Sequence, residues 1–213
     1  MDKIVKKANQ KKCEQIIKAL EKRSMTGHYC ETAREAGEQI LSMIKDGDTV
    51  SWGGSVTVDQ LGIKERLPMV GAKSIDVWAP SDPEEARTAK LHALGADVYL
   101  TSTNAITMDG QLVNVDGTGN RIAAMAFGPR KVVVVAGVNK IAADVDSAVK
   151  RMKTDACPPN CIRLNKKTPC ALTGKCADCL IPAETACCST VITRMSNRAG
   201  RMHIILVNEE LGY

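Results

Sequence analysis

A layered α/β fold with a largely parallel sheet is what this sequence predicts, and three observations predict it. Helical and strand signals alternate along the middle of the chain. The run Lys131-Val132-Val133-Val134-Val135-Ala136 is apolar at every central position. Successive strand side chains point to opposite faces, so such a run needs cover on both sides, as helices give a parallel sheet. Two glycine-rich segments, 51–57 and 114–121, each leave a strand and enter a helix.

Taken in order, the first element is a basic helix over about residues 2–23. Its apolar face is Ile4, Ala8, Cys13, Ile16, Ile17 and Leu20. The whole formal net charge of +5 resides in residues 1–23, where eight Lys and Arg oppose Asp2, Glu14 and Glu21. A solvated helix face accounts for this charge, and a docking surface for an acidic partner is the alternative. Thr32 and Glu35 form a capping box ahead of Ala33, Ala36, Ile40 and Ile44, which recur at helical spacing. Thr49-Val50-Ser51-Trp52 is a strand ending in Gly53-Gly54, with a helix expected near Val58–Arg66. Ile75-Asp76-Val77-Trp78 is a second strand. Ser81 can cap the helix that Pro83 begins, with Ala86, Ala89, Ala93 and Leu94 on its apolar side.

Asp97-Val98-Tyr99-Leu100-Thr101 is the next strand, and Asp109-Gly110 is the turn of a hairpin between Ile106 and Leu112-Val113. A short helix is expected over 120–127 before the 131–136 strand. Val145, Ala148, Val149 and Met152 line a further helix, and His203-Ile204-Ile205-Leu206-Val207 closes the sheet, with His203 a core residue. No repeat is present.

Length and composition bound the rest. The 213 residues suit a single domain, 1–213, that includes the basic helix and a Cys-rich flap at about 155–190. Aromatic residues make up 3% of the chain, too few for base-stacking platforms, so no nucleic-acid partner is expected. No signal-peptide pattern and no apolar run near the roughly 20 residues of a membrane span occurs, so a cytoplasmic protein without membrane insertion is expected.

Ligands of α/β sheets bind beyond the carboxyl ends of the strands. In the first loop Gly53 and Gly54 allow close approach of an anion, Ser55 and Thr57 add hydroxyls, and the helix start adds unpaired N–H groups. In the second, Asn114, Gly117, Gly119 and Asn120 precede or flank Arg121, a cation at the helix end that disfavours cations. A bound carboxylate or phosphate accounts for that placement. Replacing Arg121 with alanine is then expected to weaken anion binding and leave the fold intact. Neither loop spells a dinucleotide fingerprint or a P-loop, and each glycine cluster is also compatible with an ordinary turn.

Several of these segments together resemble the LUD domain of lactate-utilization proteins. They are Thr101-Ser102-Thr103-Asn104-Ala105-Ile106-Thr107, the Asp109-Gly110 turn, Asn114 to Arg121, and Val133-Val134-Val135-Ala136-Gly137-Val138-Asn139-Lys140. Asp144, Ala148, Arg151, Pro159-Asn160, Arg163 and the terminal Ile205–Gly212 run continue the match. The resemblance implies a Rossmann-like fold similar to ribose-5-phosphate isomerases and CoA transferases, with its site at the two loops and Asn104. It also implies a short hydroxy or keto acid such as lactate as the small anionic metabolite, and redox partner proteins. Homo-oligomerisation stays open.

The resemblance also implies that CoA transferases of this superfold use a glutamate nucleophile; no glutamate falls in 51–57 or 102–121, which argues against that chemistry here. An alternative is a free-standing isomerase-like enzyme acting on a phosphorylated small molecule, with Asp116 and Lys140 as the catalytic base and cation. Against it, Asp116 also suits loop ordering and Lys140 also suits a solvated position.

Seven of the nine cysteines and four of the eight prolines fall in 155–190, a stretch of little periodicity that reads as an irregular flap outside the sheet. Cys176-Ala177-Asp178-Cys179 lets two thiolates reach one ion, and Cys170 and Cys187 complete a candidate metal set for zinc or an iron–sulfur cluster. Cys13 and Cys30 read as small buried hydrophobes. A third reading is a non-catalytic binding or regulatory module with structural cysteines.

Overall fold

The computed structural model describes residues 1–213. Its strands are β1 (Thr26–Cys30), β2 (Thr49–Trp52), β3 (Lys73–Ile75), β4 (Val98–Ser102) and β5 (Ala105–Thr107). The chain continues with β6 (Leu112–Asp116), β7 (Lys131–Gly137), β8 (Ile141–Ala142), β9 (Ser189–Thr193) and β10 (Met202–Val207). Six of them form a sheet of order β1-β10-β7-β4-β2-β3 in which every pair is parallel. The other four form a smaller sheet of order β8-β5-β6-β9. It grows from the end of β4, because Thr103-Asn104 leads straight from β4 into β5.

The helices are α1 (Lys3–Glu21), α2 (Ala33–Ser42), α3 (Val56–Asp59) and α4 (Pro83–Ala93), followed by α5 (Asn120–Ala126), α6 (Val145–Arg151), α7 (Cys157–Arg163) and α8 (Pro169–Thr173). Strand β7 shows why the architecture is layered. Val132, Val134 and Ala136 point into one core with Cys13, Ile16 and Leu20 of α1 and Ala124 and Met125 of α5. Val133 and Val135 point into a second core with Ala36 and Ile40 of α2 and Val58 of α3. Both faces are covered, and the continuous apolar run follows. None of the helices is long and apolar enough to cross a membrane.

Local chemistry explains most element starts. Thr32 accepts from Glu35 N at 3.2 Å, while Glu35 reaches back to Glu31 N at 2.8 Å, one residue earlier than a standard capping box. Asp82, not Ser81, caps α4, accepting from both Glu84 N and Glu85 N. Strand β3 ends before Val77 and Trp78. The helix expected over Val58–Arg66 is instead the single turn α3, then a 3₁₀ turn over Lys64–Val70. Ile4 of α1 is 80% exposed and takes no part in packing. His203 is half-buried and stacks on His28, with ring centroids 5.4 Å apart, and burial holds both imidazoles below their usual pKa.

The flap is more ordered than its sequence suggests. It holds α7 and α8, and it ends by joining the smaller sheet, where β9 pairs antiparallel with β6 from Leu112–Thr193 to Asp116–Ser189.

Gly137 ends β7 where the chain after β10 crosses it. A Cβ there would lie 2.5 Å from Glu209 O and 2.6 Å from Leu211 N, both backbone atoms. Gly137→Ala is therefore expected to destabilise the protein by about 1–3 kcal/mol, read from its denaturant midpoint. An unchanged midpoint would show that the 209–211 segment yields freely.

Candidate functional site

The parallel order reverses between β2 and β4: the chain runs outward from β2 to β3, then returns to the other side of β2. Loops at such a switch point diverge and leave a crevice beyond the strand ends. A cavity of about 400 Å³ lies there. Gly54, Ser55 and Thr57 from the β2 loop line it, and so do Asp116, Gly117, Thr118, Asn120 and Arg121 from the β6 loop. The two segments that the sequence singles out thus face one space. Gly53 lies just behind, where a Cβ would meet Arg121 Cδ at 3.3 Å. The contact packs the first loop against the second.

Lys140 forms the floor. It follows β7, is 3% exposed, and lines the cavity. Its Nζ donates to Thr57 Oγ1 and Ser102 Oγ, each at 2.9 Å, and to Thr103 O at 3.3 Å. None of these is a carboxylate. Burial, reinforced by the neighbouring positive charges of Arg151 and Arg121, pushes its pKa down to about 7.

Arg121 has a different job from the one its position in the sequence suggests. Nη1 donates to Ser102 O at 3.1 Å and Asn114 Oδ1 at 2.7 Å. Nη2 donates to Asn104 Oδ1 at 3.1 Å and Val115 O at 2.6 Å, and Nε lies 3.4 Å from Asp116 Oδ2. All five N–H directions of the guanidinium are used within the protein. The expectation that Arg121 offers itself to an anion is therefore revised: it ties β4, β6 and the second loop together.

Asp116 is likewise engaged. Its Oδ1 accepts from Thr118 N at 3.1 Å and Gly119 N at 2.7 Å, which orders the loop. Asn114 is buried behind Arg121, outside the cavity lining, and its Nδ2 has no partner. Asn104 does line the cavity; its Oδ1 accepts from Val115 N at 3.0 Å as well as from Arg121. The helix-start amides contribute less than expected at the first loop, since α3 is one turn and aligns few dipoles.

Sequence reasoning missed Ser102 and Thr103, whose signal was their place at the tip of β4. It also missed the roof. Cys157, Asn160, Cys161, Arg163, Leu164 and Lys166 of the flap, with residues 183 and 185–188, cover the cavity. The charged lining residues are Arg121, Lys140, Arg163 and Lys166 against the single acid Asp116.

The candidate metal set is not assembled. Cys170 Sγ sits 3.3 Å from Thr168 Oγ1, and Cys187 Sγ lies 3.4 Å from Cys157 Sγ. Cys179 faces Thr185, and the turn holding Cys176 is tied outward by Asp178, paired with Lys153 at 2.5 Å. No group of three or more His, Cys, Asp or Glu is arranged to hold a metal ion. In this arrangement Cys170, Cys176, Cys179 and Cys187 do not fit zinc or an iron–sulfur cluster. Cys170 and Cys187 instead neighbour Cys161 and Cys157, so the four predicted thiols do not form one set.

Fold and cavity together describe a Rossmann-like α/β protein with a cavity at the switch point of its sheet. The LUD domain family model matches residues 13–207, and the chain belongs to that family. No protein of curated function matches the sequence. The structure is similar to that of a DUF162 family protein from Deinococcus radiodurans, with 12% identity, a TM-score of 0.53, and coverage of 93% of this chain and 97% of that one. Partial similarity extends to the translation initiation factor eIF-2B of Pyrococcus horikoshii, at 22% identity and TM-score 0.35, covering 52% of this chain and 47% of that one. It extends also to eIF2B delta of Chaetomium thermophilum, at 19% identity and TM-score 0.33, covering 53% and 49%.

Proposed function

We propose that this chain binds a short hydroxy- or oxo-carboxylate in the switch-point cavity, as a LUD-type protein of lactate or related hydroxy-acid metabolism working with redox partner proteins. One observation carries this reading: both glycine loops and the Lys140 amine line a single small cavity whose charged groups are four cations and one acid. Lys140 Nζ, not Arg121, supplies the hydrogen-bond donor at the floor, because its partners are neutral and exchangeable while those of Arg121 are fixed. Asn104, whose Oδ1 is held by Arg121 and Val115 N, lines the same space. The flap residues narrow the cavity, which strengthens polar contacts within it.

Titration calorimetry of the full chain with lactate, pyruvate and a pentose phosphate tests the reading. Binding of the two carboxylates is expected, weakened about tenfold or more by Lys140→Met, since a hydrogen bond to a charged group contributes about 1.5–3 kcal/mol. Failure of both carboxylates to bind would overturn it. The isomerase-like alternative has less support. Its base, Asp116, is held by two backbone amides and Arg121, leaving no free carboxylate facing Lys140.

A further inference from the structure

A lysine that serves only as a counter-charge works best fully protonated, beside a carboxylate or in water. Lys140 has neither. It is 3% exposed, its three partners are two hydroxyls and one carbonyl, and two guanidinium groups lie behind it. Arg151 in particular is fixed there, with Nε on Asn139 O at 2.7 Å and Nη1 on Asn104 O at 2.5 Å. These surroundings discharge the amine near neutral pH. Loss of one proton leaves two N–H groups for the three acceptors, and attack requires the amine to turn about its Cδ–Cε bond so that the lone pair faces the cavity and not Thr103 O. A neutral, desolvated amine at the floor of a cavity is a nucleophile.

We propose that Lys140 captures the carbonyl carbon of a small 2-oxo carboxylate as an imine. This deepens the reading of the cavity as a short-carboxylate site and rests on it. The Nζ lone pair forms the C–N bond while the C=O π pair moves to oxygen, and a proton passes from nitrogen to that oxygen to give a carbinolamine. Protonation of the carbinolamine hydroxyl lets it leave as water, and the nitrogen lone pair closes the C=N bond. Amine plus oxo acid becomes imine plus water, with no oxidant or reductant. Thr57 Oγ1 and Ser102 Oγ stand at 2.9 Å to carry these protons, since each hydroxyl also donates to a backbone carbonyl, Leu211 O and Thr103 O respectively. The hydroxy acid, which lacks a carbonyl, binds without bond formation.

The test treats the full chain with pyruvate and cyanoborohydride, followed by intact mass and peptide mapping. The expected result is one reduced adduct per chain, on the peptide containing Lys140, forming faster at pH 8 than at pH 6 and slowed by excess lactate. Lys140→Arg should remove it. Mapping of the wild-type protein locates the adduct whether or not the variant folds. Pyruvate binding by calorimetry with no adduct on Lys140 would overturn the imine and leave the carboxylate site standing. An adduct spread over exposed lysines, unaffected by lactate, would also overturn it. No binding of either acid would instead overturn the reading of the cavity.

Discussion

Replacing Arg121 with alanine is expected to destabilise the protein by about 3–5 kcal/mol, a large fraction of the stability of an ordinary domain. The guanidinium is the shared partner of Ser102 O, Asn104 Oδ1, Asn114 Oδ1, Val115 O and Asp116 Oδ2. Asn114 is 1% exposed and its Nδ2 is already unpaired, so the variant leaves both ends of that amide without a partner. A buried polar group stripped of its partner costs about 1–3 kcal/mol, and here several lose theirs together. Lysine should rescue little, because one ammonium cannot reach five acceptors laid out for a planar fork. Thermal melts and soluble yield read the effect. An Arg121→Ala protein that melts with the wild type but has lost carboxylate binding would return Arg121 to the role of a direct ligand.

Lys140→Met is expected to do the reverse, raising stability at acidic and neutral pH. The folded pKa is about 7 against an ordinary 10.5, so the folded protein disfavours the charged form. Below pH 7 both folded and unfolded chains carry the charge, and the whole penalty for burying it applies. Between pH 7 and 10.5 the unfolded chain binds more protons, so wild-type stability rises with pH; above 10.5 the group contributes nothing further. At 1.36 kcal/mol per unit the penalty is on the order of 5 kcal/mol before relaxation. Methionine is similar in shape and leaves Thr57 and Ser102 donating to Leu211 O and Thr103 O. The variant should therefore melt well above wild type at pH 6, with the gap closing toward pH 10. A variant less stable at every pH would mean that the ammonium is held favourably.

The two variants separate what neighbouring cations do. One guanidinium is built into the scaffold, and one amine is held at a stability cost of the kind that functional groups carry.

Much of the main sheet was legible because its signals are local. The unbroken apolar run of β7, the capping residues of α2 and the Asp109-Gly110 turn depend on neighbours a few positions away. Strand β1 was not, since Thr26-Gly27-His28-Tyr29-Cys30 has little apolar content and is defined by pairing with β10. The smaller sheet, apart from its β5–β6 hairpin, was hidden for the same reason. Strand β8 is two residues long, and β9 follows a cysteine-rich stretch whose composition suggested only irregular chain.

By itself the sequence determined that two glycine loops leave strands of a layered α/β protein, and that their residues suit an anion. Glycine, capping and alternation act through the backbone within a few residues, so they survive without the fold. Which cation faces the guest was decided only in three dimensions. The acceptors that saturate Arg121 come from 102, 104 and 114–116, and the hydroxyls around Lys140 come from 57 and 102, all brought together by strand pairing. Hydrogen-bond saturation and burial are sums over such distant neighbours, and no window along the chain contains them.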